Sequence, residues 1–318
     1  MVLHRKSEAS STNGPIARRL LRAWVRFKNQ SVIDLAAVRA GKEEAQRLVA
    51  SVPARNQDSD PAHAVYASVY NLVSILTESL TSLSELAPFA DIISAAQEEY
   101  MPGWPPMSPI SGSHFGTWAF FDLALGEARE TLGTCILALA PGLGLSGDVV
   151  RLIRVLEQSR LGLFVHEGNA GADSFTLREI MTGERFRTVC PSGHVGRPGE
   201  QWLVRLLPPP VSHLDYHVAF TSPYIIELPG ETEWRAFFGR TLLKTKIDDE
   251  NAAYESLMKY GLRPNYWNDY IFEGYWRHTD CMIALLGVPD VEAGRPHSKA
   301  ISGNVARLRH HYGAALRG

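Results

Sequence analysis

Residues 201–206 read QWLVRL, a pattern that predicts a β-strand. Trp202, Val204 and Leu206 alternate with the residues between them, so three large apolar side chains fall on one face of an extended chain. Before residue 160, in contrast, apolar residues recur at helical spacing. The alternation at 201–206 therefore marks a β region within a largely helical sequence.

Four other runs near this stretch share its character. They are rich in β-branched and aromatic residues, and Gly, Pro and Asn, which favour turns, separate them. The predicted strands span residues 161–165, 175–181, 185–189, 201–206 and 216–221. Five short strands so close together are typical of a small antiparallel β barrel or curled sheet.

Helical spacing precedes the β region. Residues 16–48 predict a basic amphipathic helix, and Asp60-Pro61 supplies an N-cap and a first-turn proline for the next helix. Residues 115–139 predict a further helix that breaks at Pro141-Gly142. Ser146 can cap the helix that leads into the first strand.

Helical spacing returns after the β region. It predicts helices at 232–242, 249–260 and 266–286, the last of which ends at Gly287. The last helix carries six aromatic residues between Tyr266 and Trp276. Such rings could stack on bases or on a partner peptide, but they point all round the helix, which favours burial in a core.

These patterns predict an α+β fold with a helical N-terminal half, a small antiparallel β barrel or curled sheet, and a helical C-terminal segment. The predicted units are a basic helix and linker at 1–60, a helical domain at 61–160, a β module at 161–229, a helical segment at 230–290 and a basic tail at 291–318.

The composition is that of a globular protein. The chain has 318 residues, of which 45% are hydrophobic and 21% charged, and this excludes a disordered chain. No apolar run approaches the roughly 18 residues of a spanning helix, so we expect no transmembrane segment. The three cysteines form no Cys-x-x-Cys pair, which favours a reducing cytoplasm. The Arg- and Ser-rich start is also compatible with an organellar transit peptide.

Charge is distributed unevenly along the chain. Residues 1–30 hold seven Lys or Arg against one acidic residue, and residues 291–318 hold five against one. Because the overall net charge is −2, the intervening residues carry −12. An acidic body with basic ends can bring anionic partners to its termini.

The N-terminal helix is the strongest candidate for a partner-binding element. Its candidate contact residues are Arg18, Arg19, Arg22, Trp24 and Arg26. A protein partner or self-association is the first expectation, and nucleic acid or an anionic membrane surface could also bind residues 1–30. Two structural alternatives are a solvated face of a packed helix and basic ends that fold back onto the acidic body or a second copy of it.

The order of features between about residues 115 and 227 resembles that of a known protein group. The motifs are FGTW at 115–118, SRL at 159–161, FTLREIMTG at 175–183, GEQWLVRLLP at 199–208 and TSPY at 221–224. They resemble uncharacterised bacterial proteins, some of which end in a small zinc-binding tail of the SEC-C type. This sequence has no cysteine-rich tail, so the resemblance implies neither a zinc tail nor a catalytic residue.

A glycine motif suggests an alternative function. Gly142, Gly144 and Gly147 have the Gly-x-Gly-x-x-Gly spacing that binds a pyrophosphate between a strand and a helix, and Glu167 follows where a ribose-binding acid would lie. This pattern would suit a nucleotide-type cofactor in a nucleotide- or S-adenosylmethionine-dependent transferase. Glycines that end one helix and begin another explain the same spacing.

Cysteine and histidine residues suggest two other sites. Cys190, His194, His213 and His217 could bind zinc and stabilise the β module. Cys190 could instead be a nucleophile, with His114 or the pair His166-Glu167 as its base. Scattered surface or packing residues explain both sets. The preferred prediction is a cytoplasmic, non-catalytic interaction or regulatory protein that uses its basic termini.

Overall fold

The structure, a computed structural model, describes most of the chain. The described residues are 13–27, 35–52, 60–80, 83–100, 112–171, 173–228, 230–262, 275–278 and 283–286. Over these residues the fold is α+β, with a helical N-terminal half followed by a small closed barrel, as predicted. Within the described ranges, no helix combines the length and the apolar character needed to cross a membrane.

Seven helices precede the first strand in the described part of the chain. They are α1 Pro15–Phe27, α2 Leu35–Ala50, α3 Pro61–Leu80, α4 Ala87–Tyr100, α5 Gly112–Thr117, α6 Leu132–Leu143 and α7 Gly147–Gln158. The predicted caps are confirmed: Asp60 Oδ1 accepts from His63 N at 3.0 Å, and Ser146 Oγ accepts from Val149 N at 3.4 Å. These bonds satisfy N–H groups that have no partner within a helix.

The predicted continuous helix over 115–139 is wrong. After α5, Trp118–Asp122 forms a π-helical turn, and a turn containing Gly126 follows. Thr131 then begins α6 through a capping box with Thr134. The Thr131 side chain accepts from a backbone N–H group and so begins a new helix here, although the apolar spacing is continuous. Residues 101–111, whose four prolines predict an extended connection, lie outside the described residues.

Five strands close into the barrel. The strands are β1 Leu161–Gly171, β2 Ser174–Glu179, β3 Arg185–Val189, β4 Gln201–Leu207 and β5 His217–Ala219. All five predicted strands are confirmed, and pairing of β1 with β4 and of β3 with β5 closes the sheet on itself. The barrel is not purely antiparallel, because β3 and β5 run parallel. A closed sheet of this kind leaves few unpaired backbone groups at its edges.

The sheet extends beyond the barrel through strands that the sequence did not predict. They are β6 Tyr224–Leu228, β7 Tyr275–His278 and β8 Ile283–Leu286. β6 pairs with β4, and β8 pairs in parallel with β6. The predicted helix at 266–286 is therefore wrong where it is described. Of the predicted C-terminal helices, α8 Glu231–Leu242 and α9 Glu250–Tyr260 are present.

Within the part of the chain that the structure describes, three hydrophobic clusters join these elements. The largest spans the N-terminal helices and one end of the barrel, including Val189, Leu207 and Val218. A second packs α8 and α9 against β1, β4 and β6. The third fills the barrel, and its members are Phe164, Phe175, Leu177, Trp202, Val204, Ala219 and Ile225. The face of β4 that carries Trp202 and Val204 therefore points inward, as its alternation predicted.

Candidate functional site

Helix α1 is docked on the protein by its apolar face. Leu20 is fully buried, and Ile16 and Trp24 are nearly so, within the largest cluster. The carboxylate of Glu130 accepts hydrogen bonds from the backbone N–H groups of Ile16, at 2.8 Å, and Ala17, at 2.7 Å. These contacts fix the first turn of α1 next to α6, because an anion at a helix N-terminus satisfies its free N–H groups.

Trp24 is buried, so its prediction as a partner-contact residue is not supported. A Cβ atom at position 142 would lie 2.9 Å from the Trp24 indole nitrogen, which shows how closely the ring packs on α6. The four arginines of the same prediction are exposed on the opposite side of the helix. We call this surface the arginine face; its residues are Arg18, Arg19, Arg22 and Arg26.

The arginine face has little compensating charge. Among the described residues, Arg26 is the one member with an acidic partner, Glu85, at 3.9 Å. The barrel differs: Arg160 binds Glu179 and Glu255, each at 2.6 Å, and several other arginines there form close pairs with carboxylates. The described part of the barrel thus pairs its arginines, whereas α1 presents most of its own to solvent.

The glycine motif does not have the surroundings of a cofactor fingerprint. The run from Cys135 to Ala140, where a strand would be required, lies within α6. Gly144 ends α6 with a φ of 62°, and Gly147 is the first residue of α7. Gly142 allows Trp24 to approach closely. Two helix ends and one tight contact therefore account for the spacing, and the predicted nucleotide-type site at Gly142, Gly144 and Gly147 is not supported.

Glu167, the predicted ribose-binding acid, is part of an ion-pair network. Its carboxylate accepts from Arg178 Nε and Arg185 Nε, both at 2.8 Å. Arg178 in turn binds Glu231 at the start of α8 at 2.9 Å. The bond from Arg185 is the main reason that the pKa of Glu167 lies below its usual value. These contacts connect the barrel surface to α8.

The predicted zinc ligands do not meet. Among the described residues, no three His, Cys, Asp or Glu side chains are arranged to hold a metal ion. His194 Nε2 lies 3.0 Å from Glu200, whereas the His217 ring packs on Phe186 and His213 is exposed. The described structure therefore does not bring Cys190, His194, His213 and His217 together as the predicted zinc site.

The two candidate bases for Cys190 have structural contacts. His114 Nε2 donates to the carbonyl oxygen of Ser222 at 2.7 Å, and burial lowers the pKa of His114 to about 3. His166 is 1% exposed, and its ring stacks on Phe175 inside the barrel. Both imidazoles are thus held by structural contacts. Cys190 Sγ instead lies 3.1 Å from Ser192 Oγ.

A cleft of about 700 Å³ lies where α3 and α5 meet one end of the barrel. Its lining includes Asp60 and His63 of α3, Ser113 of α5, and Cys190 and His194 after β3. Two residues that the sequence singled out, Cys190 and His194, thus share a cavity, although they do not share a metal. For Asp60 the sequence predicts only a role as a helix cap.

A buried charge cluster, which the sequence did not predict, joins the helices to the barrel. Arg205, 1% exposed, donates to Asp122, and Lys259 of α9 lies 3.3 Å from the same carboxylate. Glu157 of α7 lies nearby, where its Oε2 accepts from Thr131 Oγ1 at 2.7 Å. The two cations also donate to oxygens of other groups, as buried charges require.

The sequence matches no protein-family model and shows no significant similarity to a curated protein. The resemblance of residues 115–227 to the SEC-C-type group therefore stays a prediction from its motifs. In the described structure, the arginine face and the cleft are the surfaces that suggest a function.

Proposed function

We propose that the protein is a non-catalytic interaction or regulatory protein, and that the arginine face of α1 binds an acidic surface of a protein partner, of which a second copy of this chain is one form. In the described structure neither Cys135 nor Cys190 is part of a disulfide, the state that a reducing compartment maintains, and this supports a cytoplasmic location.

The observation that carries the proposal is the contrast in charge pairing. Arg18, Arg19 and Arg22 are exposed without an acidic partner in the described structure, whereas arginines on the barrel surface form close ion pairs. Guanidinium groups that are not paired within the molecule can form bidentate hydrogen bonds with carboxylates of a partner.

The docking of α1 supports the same proposal. Its apolar face is buried against α6, and Glu130 holds its first turn, so the arginines are presented from a fixed helix. A fixed backbone lowers the entropy that is lost on binding. Burial of Trp24 makes insertion of this helix into a membrane less favourable, because insertion would require α1 to leave the core.

Charge reversal on α1 tests the proposal. We expect the wild-type chain to bind a fluorescent poly-glutamate peptide, with an affinity that falls as salt is raised. The double variant Arg18→Glu/Arg22→Glu should bind at least about tenfold more weakly, a loss of about 1.4 kcal/mol. Fluorescence anisotropy measures both affinities, and sedimentation of the unlabelled chain at low salt detects self-association.

The matched control is Lys244→Glu/Lys246→Glu, which changes the net charge equally at two exposed positions after α8. It should bind the peptide within about twofold of wild type if the contact is local to α1. Equal weakening by both double variants, or no binding by the wild type, would overturn the proposal. If RNA or anionic vesicles bind through α1 while poly-glutamate does not, the partner belongs to another class.

A further inference from the structure

The cleft at the end of the barrel is separate from the arginine face. Helical residues of α3 and α5 form one wall, and the start of β2, the loop after β3 and the end of β5 form the other. Val189, Ala219 and Phe220 contribute apolar surface, whereas Ser113, Ser174 and Ser192 contribute hydroxyl groups. An apolar floor with a few polar groups is the usual make-up of a small-molecule site.

Charge is the distinctive property of this cleft. Two carboxylates line it, Asp60 and Asp173, and none of its described lining residues is Lys or Arg. Its histidines add little net positive charge, since burial lowers the pKa of His63, and the Glu200 carboxylate, 3.0 Å from His194 Nε2, offsets any charge on that ring. Arg187 donates to Ser174 Oγ at the edge of the cleft but is itself paired with Asp215 at 2.5 Å. The described lining therefore carries net negative charge and is poorly suited to an anion.

Asp60 is the more buried of the two carboxylates that line the cleft. It is 8% exposed, and its two oxygens accept from His63 N, at 3.0 Å, and Tyr216 OH, at 2.8 Å. Both donors are uncharged. Asp122 and Glu179, which are also buried, each contact a Lys or Arg side chain. In the described structure Asp60, like the buried Glu130, lies within salt-bridge distance of neither type, and of these two only Asp60 lines the cleft.

We infer that this cleft binds a small organic molecule that carries a primary ammonium group. The ammonium would lie near Asp60 and Asp173, where a cation offsets the negative potential, and its three N–H groups would meet carboxylate and serine oxygens. The carbon part of the molecule would cover the surface of Val189, Ala219 and Phe220. The proposal is independent of the function assigned to the arginine face.

Cys190 makes occupancy of the cleft measurable. Its thiol lines the cleft and is partly exposed, whereas Cys135 is 1% exposed. The rate at which iodoacetamide alkylates Cys190, followed by peptide mass spectrometry, therefore reports on the cavity. Mass spectrometry also separates Cys190 from the other two cysteines of the chain.

The probes are three molecules of equal chain length and different charge: 1,4-diaminobutane, 1,4-butanediol and succinate. We expect diaminobutane to slow Cys190 alkylation by about fivefold once about four fifths of the sites are occupied. The diol and succinate should change the rate by less than about twofold at the same concentration. Equal protection by the diol, protection by succinate, or no protection by diaminobutane would overturn the proposal.

Two variants test the carboxylates. Asp60→Asn removes the charge but keeps an amide that can cap α3, since Asn is as good an N-cap as Asp. It should lose protection by diaminobutane while the unliganded alkylation rate stays close to that of wild type. Asp173→Asn changes an exposed residue and tests the same charge if Asp60→Asn unfolds. Full protection in a folded Asp60→Asn chain and in Asp173→Asn would contradict the inference.

Discussion

Arg205 shows how far a single residue can depart from its sequence pattern. In β4 it stands opposite Trp202 and Val204, on the face that an alternating strand usually turns to solvent. That face is buried too, and Arg205 is 1% exposed. Its guanidinium binds Asp122, and Ser159 Oγ lies 2.8 Å from Nη1. The sequence could not predict this pairing because Asp122 is 83 residues away.

Glu157 should make stability depend on pH. Burial raises the pKa of its carboxyl to about 7, and nearby Asp122 acts in the same direction, whereas Lys259, Thr131 and Arg205 oppose the shift. The folded state therefore binds a proton more tightly than the unfolded state, whose Glu pKa is near 4.5. The resulting stabilisation is complete below pH 4.5 and is lost as the pH rises through about 7.

Replacement Glu157→Gln tests this pH dependence. Gln can still accept the Thr131 hydrogen bond but does not titrate. Between pH 5 and 8, we expect the wild type to lose on the order of 3 kcal/mol of unfolding free energy relative to the variant. Urea unfolding at each pH measures it. The exposed Glu127→Gln replacement is the control, and parallel pH profiles of wild type and Glu157→Gln would contradict the prediction.

At the scale of the element, α1 depends on a residue far from it in sequence. Glu130 is 4% exposed and accepts from two buried N–H groups at the start of α1. Its loss would leave both donors unsatisfied. We expect Glu130→Ala to lower the free energy of unfolding by about 2–3 kcal/mol, because hydrogen bonds to a charged acceptor are strong and buried donors need partners.

The control for this variant is Glu127→Ala, which removes an exposed carboxylate from the same turn. It should change the unfolding free energy by less than about 0.5 kcal/mol. Urea denaturation followed by circular dichroism compares the two. If both variants were equally stable, Glu130 would not hold α1 in place.

Local signals predicted elements well. Asp60, Ser146 and Asp249 each cap a helix where the sequence places a capping side chain, and each bond spans three residues. The five barrel strands follow from alternation and turn residues. Such features lie within a few residues of each other, so they can be read without knowledge of the rest of the chain.

Non-local pairing explains the failures. Ile283 of β8 pairs with Tyr224 of β6 in parallel, a contact across about sixty residues that apolar spacing does not reveal. The aromatic residues between Tyr266 and Trp276 predict a helix because they do not alternate as the residues of a strand do. The five-stranded barrel likewise closes through a parallel pairing of β3 with β5, in which Thr188 lies opposite His217, and no hairpin signal in the sequence indicates this pairing.

The candidate sites were predictable to different degrees for the same reason. The arginine face lies on one helix, and its spacing identified four exposed residues correctly. The cleft is assembled from α3, α5 and three parts of the barrel. Of its lining residues, the sequence therefore indicates only Cys190 and His194 as candidate site residues, and it indicates them for zinc binding or thiol chemistry. The glycine motif was misleading because helix ends need glycine as much as phosphate loops do.

The N-terminal helix is part of the core of the protein, although the excess of basic residues at 1–30 suggests an end that is available to partners. Ile16, Leu20 and Trp24 belong to the largest hydrophobic cluster. Deletion of residues 1–30 should therefore lower the free energy of unfolding by more than about 3 kcal/mol, since each large buried side chain contributes roughly 1.5–3 kcal/mol.

Deletion of residues 1–12 is the matched control, because it removes two basic residues but leaves α1. Its unfolding free energy should equal that of the full chain within about 0.5 kcal/mol. Urea midpoints of the three chains make the comparison. Equal midpoints for the full chain and the chain lacking residues 1–30 would mean that α1 adds no stability.

Strand β4 is paired along both edges and buried on both faces. β1 pairs along one edge, β6 and β5 share the other, and its two faces lie in different cores. An insertion of one residue would turn Trp202 out of the barrel and Arg205 away from Asp122 in a single step. In the descent of this protein, residues 201–207 should therefore have kept their length.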